Sequence, residues 1–104
     1  MITVIIQFKL PADTRAEESA ERFRSTASRF QSVPGLVRKY YLYDGDAHKG
    51  GGCYLFESRA AAEAAFDQEW RDRIKHLYGE PEVQYFDTAV IVDNLSGEIL
   101  ETQH

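Results

Sequence analysis

Apolar and polar residues alternate from the start of the chain. Ile2, Val4, Ile6 and Phe8 fall on one side of an extended segment and Thr3, Ile5, Gln7 and Lys9 on the other. That period of two predicts a strand over residues 2–10, ended by Pro11. The period then changes. Ala16, Ala20, Phe23, Ala27 and Phe30 recur at spacings of four and three, the stripe of an amphipathic helix. Thr14 and Glu17 stand as a T-x-x-E capping box before it, and Pro34-Gly35 stops it. Residues 36–43, rich in Tyr and Val, read as a second strand. A polar, glycine-dense connection over 44–51 leads to a third strand over 52–57, so these two strands form a hairpin with a long loop. Ser58 is an N-cap for a second helix whose stripe is Ala62, Phe66, Trp70, Ile74 and Leu77, closed by Gly79-Glu80-Pro81. Residues 82–92 form a fourth strand. Residues 93–104 are a tail with one apolar knot, Leu95, Ile99 and Leu100.

The order is β-α-β-β-α-β. It predicts an α+β, ferredoxin-like fold with an antiparallel four-stranded sheet and both helices on one face, in a single domain over 1–104 with its core in 1–92. Right-handed crossovers put the two helices on the same side. The opposite face of an isolated sheet of this kind alternates to polar residues. Here the fourth strand carries Tyr85, Ala89 and Ile91 on one face and Phe86, Val90 and Val92 on the other. An open apolar face predicts a homodimer, two sheets closing into a dimeric α+β barrel with the tail clamping the partner.

Charge and composition narrow the function. The net charge is −5. The nearest approach to a basic stripe, Arg71, Arg73, Lys75 and His76, is interrupted by Asp72, so no nucleic-acid partner is expected. Cys53 stands alone, which leaves no intrachain disulfide and no thiolate zinc cluster. The N-terminal apolar run is too short and too alternating for a signal peptide, and no stretch is long enough to span a bilayer. A cytoplasmic protein without a membrane partner is expected. His48, His76 and His104 are scattered, with no metal-ligand spacing, so no metal is expected. Gly50-Gly51-Gly52 lies between strands and reads as a bulge or turn, not as a phosphate cradle.

The tyrosines carry more. Alternation puts Lys39, Tyr41 and Tyr43 on one face of the second strand. If residue 43 pairs with residue 52, Tyr41 faces Tyr54 and Lys39 faces Phe56; a slip of one residue substitutes Arg38 and Tyr40. A cavity bordered by Lys39, Tyr41, Tyr54 and Trp70, with His76 nearby, is expected, against the plainer alternative that the rings fill the core.

The stretch from Pro34-Gly35 through Lys39 and Tyr41, followed by Gly51-Gly52-Cys53-Tyr54-Leu55-Phe56, resembles the YdhR-type monooxygenases of the dimeric α+β barrel superfamily, alongside the antibiotic biosynthesis monooxygenases. It departs at Tyr41, where that family often has Trp. The resemblance implies a cofactor-independent monooxygenase that oxidises a small aromatic or polycyclic compound with dioxygen. On that basis Lys39, Tyr41 and Tyr54 are the catalytic candidates, and Phe56, Trp70 and His76 the substrate-binding ones. Trp70 with His76 also resembles, faintly, the haem-degrading relatives on this fold. The alternatives are a non-catalytic small-molecule binding or stress-response module, or a cofactor-free isomerase or lactonase.

Overall fold

A computed structural model describes residues 1–102. Four strands, β1 (Ile2–Lys9), β2 (Leu36–Asp44), β3 (Lys49–Phe56) and β4 (Glu82–Asp87), form one antiparallel sheet in the order β2-β3-β1-β4. Helices α1 (Ala16–Phe30), α2 (Arg59–Ala65) and α3 (Gln68–Tyr78) provide the helical layer. The predicted α+β class and antiparallel sheet are present. On the helix side the even-numbered residues of β1 meet Tyr54 and Phe56 of β3, and Ile2, Val4, Ile6, Tyr54, Phe56, Ala62 and Phe66 make the buried core. Each Ile, Val or Phe side chain of this core contributes about 1.5–3 kcal/mol when taken from water.

Several local expectations give way to tertiary structure. The Thr14–Glu17 box does not form. Arg15 occupies the cap position of α1 without a side-chain bond, because Thr14 is held in a turn in which its backbone N–H donates a hydrogen bond to the Pro11 carbonyl. The inward stripe of α1 keeps Ala20, Phe23 and Phe30 but differs at its other positions. Ser19 is buried and Thr26 half-buried, while Ala16 and Ala27 are exposed.

The second helix is two. Phe66 leaves helical geometry (φ −106°, ψ 55°), and Asp67 then caps α3 by accepting from the Trp70 amide at 2.9 Å. The break keeps Phe66 in the core and restarts the helix with a satisfied terminus. The glycines lie within β3, and the connecting turn is only residues 45–48.

The fourth strand is also interrupted. Residues 88–89 leave the sheet, where Thr88 donates to the Met1 carbonyl. The chain resumes as β5 (Val90–Asp93), which pairs with β6 (Glu98–Glu101) in a hairpin built from the expected tail. Thr102 ties the root of this hairpin to Ala89, Thr88 and Met1. An Arg38–Asp93 ion pair at 3.6 Å ties β5 to the outer face of β2. Gln103 and His104 lie outside the described residues.

Candidate active site

The strand register differs from the expected one by two residues. Tyr43 pairs with Gly50, Tyr41 with Gly52, and Lys39 with Tyr54. Phe56 pairs with Leu36 instead of Lys39. A shift of two preserves the face, so Lys39 and Tyr41 still lie on the side of Tyr54. The glycines set this geometry. A Cβ at Gly52 would stand 2.7 Å from the Tyr54 ring, and one at Gly51 would stand 1.8 Å from the Ile6 carbonyl oxygen. Gly51 therefore permits the close approach of β1, and Gly52 lets the Tyr54 ring lie over its own strand.

Between this face and helices α1 and α3 lies a cavity of about 220 Å³ bordered by Lys39, Tyr41, Tyr54 and Trp70. Phe23 and Phe30 of α1 complete its aromatic wall. Phe23 stacks on Tyr41 at 4.7 Å, and Phe30 meets Tyr41 edge-on at 6.1 Å. A neighbouring lobe of about 300 Å³ reaches Phe56 and Phe66 and shares Arg29, Phe30, Tyr54, Trp70 and Arg73 with the first.

Lys39 is the chemical centre of this wall. Its Nζ lies 3.3 Å from the Phe30 centroid, 3.7 Å from that of Tyr41 and 4.8 Å from that of Tyr54. Among the described residues no carboxylate pairs with it. The ring faces favour the ammonium by about 0.5–2 kcal/mol. Burial without a counter-charge works the other way and pushes the amine down to about 7. The Tyr54 hydroxyl is raised above the ordinary tyrosine range, first by burial and then by Tyr41, and so stays protonated at neutral pH.

The Tyr41 hydroxyl lies 2.7 Å from Thr26 Oγ1, which itself donates to the Phe23 carbonyl at 3.1 Å. Since Thr26 has one proton to give, Tyr41 donates to it, and its oxygen retains lone pairs toward the cavity.

The structure thus brings Lys39, Tyr41, Tyr54 and Trp70 together. Phe56 is buried on the adjoining lobe. His76 is exposed and borders neither lobe, because the α3 residues that face the cavity include Trp70, Arg73, Ile74 and Leu77, with the exposed Arg73 and Leu77 at its rim, and His76 falls off that side. Trp70 and His76 therefore do not face one another across a shared pocket. Cys53 is half-buried on the outer face of β3, away from the cavity. Among the described residues no three His, Cys, Asp or Glu side chains gather as a metal site. Thr26, Phe30, Arg29 and Arg73 were not among the site residues expected from sequence. Thr26 and Phe30 share the i, i+3, i+7 spacing of Phe23, which was the available signal.

Solved structures share this architecture. A monooxygenase from the gene ActVA-Orf6 of Streptomyces coelicolor, in complex with nanaomycin D, superposes with a TM-score of 0.63 at 17% identity over 84% of this chain and 86% of its own. SnoaB from Streptomyces nogalater, a cofactor-independent oxygenase, gives 0.60 at 20% identity over 84% and 91%. A MhuD mutant with two manganese protoporphyrin IX bound per active site gives 0.68 at 16% identity over 90% and 100%. At these identities the likeness is one of fold. No curated protein matches the chain. Sequence places it more narrowly: residues 5–92 match the family described as putative mono-oxygenase ydhR, and the chain belongs to that family.

Proposed function

We propose that the protein is a cofactor-independent monooxygenase acting on a small phenolic aromatic compound, with Lys39 as the base. The observation that carries this reading is the Lys39 amine, held against three rings beside a cavity with no carboxylate to keep it charged. Near neutrality the amine is poised to take the proton of a bound phenol. The resulting ammonium then stabilises the phenolate, the form that passes an electron to dioxygen. Tyr54, held protonated, donates a hydrogen bond to the substrate oxygen. Tyr41, fixed by Thr26, positions the ring, and Trp70 and Phe56 bound the space it fills. In the overall step one oxygen atom of dioxygen enters a ring carbon, the ring is oxidised to a quinone, and the other oxygen atom leaves as water with the two hydrogens lost from substrate.

The homodimer belongs to the same reading. It is supported by the outer sheet face, where Tyr40 and Phe86 are 54% and 47% exposed, and by Val92 and Ile99 of the hairpin at 64% and 70%. Such a surface is unusual on a monomer. Sedimentation at micromolar concentration is expected to give twice the chain mass of 11.9 kDa; a single species at the chain mass removes the dimer. A cytoplasmic location is also part of this reading, supported by the lone thiol of Cys53.

Oxygen consumption with a panel of naphthols and anthrones, with mass analysis of products made under ¹⁸O₂, tests the enzyme. Uptake abolished in Lys39→Met, with one labelled atom in the product, is the expected result. Ligands that raise the melting temperature without any uptake would instead establish a binding module.

A further inference from the structure

The cavity carries a charge pattern that phenol oxidation does not require. Of the twelve lysine and arginine side chains in the sequence, four border it: Arg22, Arg29, Lys39 and Arg73. None of the seventeen aspartate and glutamate side chains does. In a chain of net charge −5 this is a local segregation against the overall balance. The ion pairs of the described residues lie elsewhere, at Arg15, Arg38, Arg59 and Lys75. Arg22 donates to the Tyr78 hydroxyl at 3.1 Å, a neutral partner that leaves its charge uncompensated.

Arg29 and Arg73 occupy a particular place. They come from different helices, α1 and α3, yet both border both lobes, together with Phe30, Tyr54 and Trp70. Two exposed arginines therefore border whichever lobe an aromatic body would fill. A guanidinium matches a carboxylate in charge and in planar, two-pronged geometry. Unpaired cations facing a low-dielectric wall also concentrate anions from solution.

We infer that the ligand of this cavity is an aromatic carboxylate, its rings among Phe30, Tyr54 and Trp70 and its carboxylate between Arg29 and Arg73. The inference deepens the oxygenase reading and rests on it only for the choice of cavity. Arg29 and Arg73 act as specificity residues. Lys39 stays free for the phenol proton, because the carboxylate is already ionised and is met by the arginines.

Trp70 is the sole tryptophan of the chain and lines both lobes, so its fluorescence reports binding without turnover. The test titrates the wild-type protein with 6-hydroxy-2-naphthoate and with its neutral isostere 6-hydroxy-2-naphthamide, at low and at high salt. The carboxylate is expected to bind about tenfold more tightly at low salt, the preference shrinking as salt screens the pairs. Arg29→Gln/Arg73→Gln is expected to bring the two dissociation constants together by weakening only the carboxylate. Arg24→Gln, an exposed cation of α1 that borders neither lobe, is expected to keep the preference. Equal binding of the two compounds by the wild type overturns the proposal, as does a preference that survives in the double variant, or no binding of either compound. A charge preference with no oxygen uptake leaves this inference standing and removes the oxygenase. Uptake as fast with the amide as with the acid removes this inference alone.

Discussion

Leu36 and Lys39 point to the same side of the sheet although three residues separate them. In a regular strand an odd spacing sends two side chains to opposite faces. The ladder between β2 and β3 shifts register between Leu36 and Arg38, so Leu36 opposes Phe56 and Arg38 already opposes Leu55. The extra residue, Val37, bulges out and is 46% exposed. Leu36 packs on the core, and Lys39, returned to the same side, reaches the aromatic wall. A β-bulge that re-aims a side chain at a site edge is a recurrent device. Here it brings a lysine into an apolar cavity.

That placement is expected to cost stability in a pH-dependent way. The Lys39 amine falls from its ordinary 10.5 to about 7 in the folded protein. Between these values the unfolded chain binds a proton that the folded chain does not, so stability rises with pH across that window. Lys39→Met removes the penalty. The variant's melting temperature should exceed that of wild type most at or below pH 7, with the gap closing as pH approaches 10.5. Tyr54, raised in the folded state, lowers stability of both proteins above pH 10 and cancels in the difference. A gap that is independent of pH would remove the buried-amine argument.

Thr26 and Tyr41 are expected to be energetically coupled through their 2.7 Å contact. Thr26→Val should cost about 0.5–1.5 kcal/mol, the usual net value of such a bond. A double-mutant cycle with Tyr41→Phe, followed by urea denaturation, should return a coupling energy of similar size. Strict additivity would show that the hydroxyls do not hold one another.

The two cap positions make a matched pair. Asp67→Ala removes the acceptor for the Trp70 amide and should destabilise the protein by about 1 kcal/mol. Thr14→Ala, at the capping box read from sequence, should change stability by less than about 0.5 kcal/mol, because its hydroxyl makes no cap bond. Thermal melts of both variants decide it. The reverse ranking would mean that α1 starts at Thr14 after all.

Gly52→Ala drives a methyl group to within 2.7 Å of the buried Tyr54 ring, which must then shift within the cavity it lines. Overpacking of this kind costs about 1–3 kcal/mol. Gly51→Ala meets backbone, not a side chain, at the Ile6 carbonyl and should cost more. Chemical denaturation of the two single variants gives the order. Equal, small losses would contradict the close approach of β1 and β3.

Features set by local physics were legible in the order of residues alone. The alternation of Ile2, Val4, Ile6 and Phe8 could be satisfied only by a strand with one buried face, and Pro34-Gly35 and Gly79 end helices wherever those helices pack. The same local reading put Lys39, Tyr41 and Tyr54 on one side, since a shift of two residues in the hairpin leaves the faces unchanged. Tertiary structure decided everything that depends on partners distant in the chain. The register of β2 on β3, the bulge at Val37 and the placing of Gly50–Gly52 inside a strand follow from how β3 fits between β1 and β2. Whether helix continues past Phe66 depends on the core claiming that ring while Asp67 offers a cap. Pairing of residues 90–93 with 98–101 turned a tail into a hairpin. The approach of Arg29 to Arg73 across two helices has no signature in spacing at all, because forty-four positions separate them in sequence and only packing of α1 beside α3 brings both to one cavity.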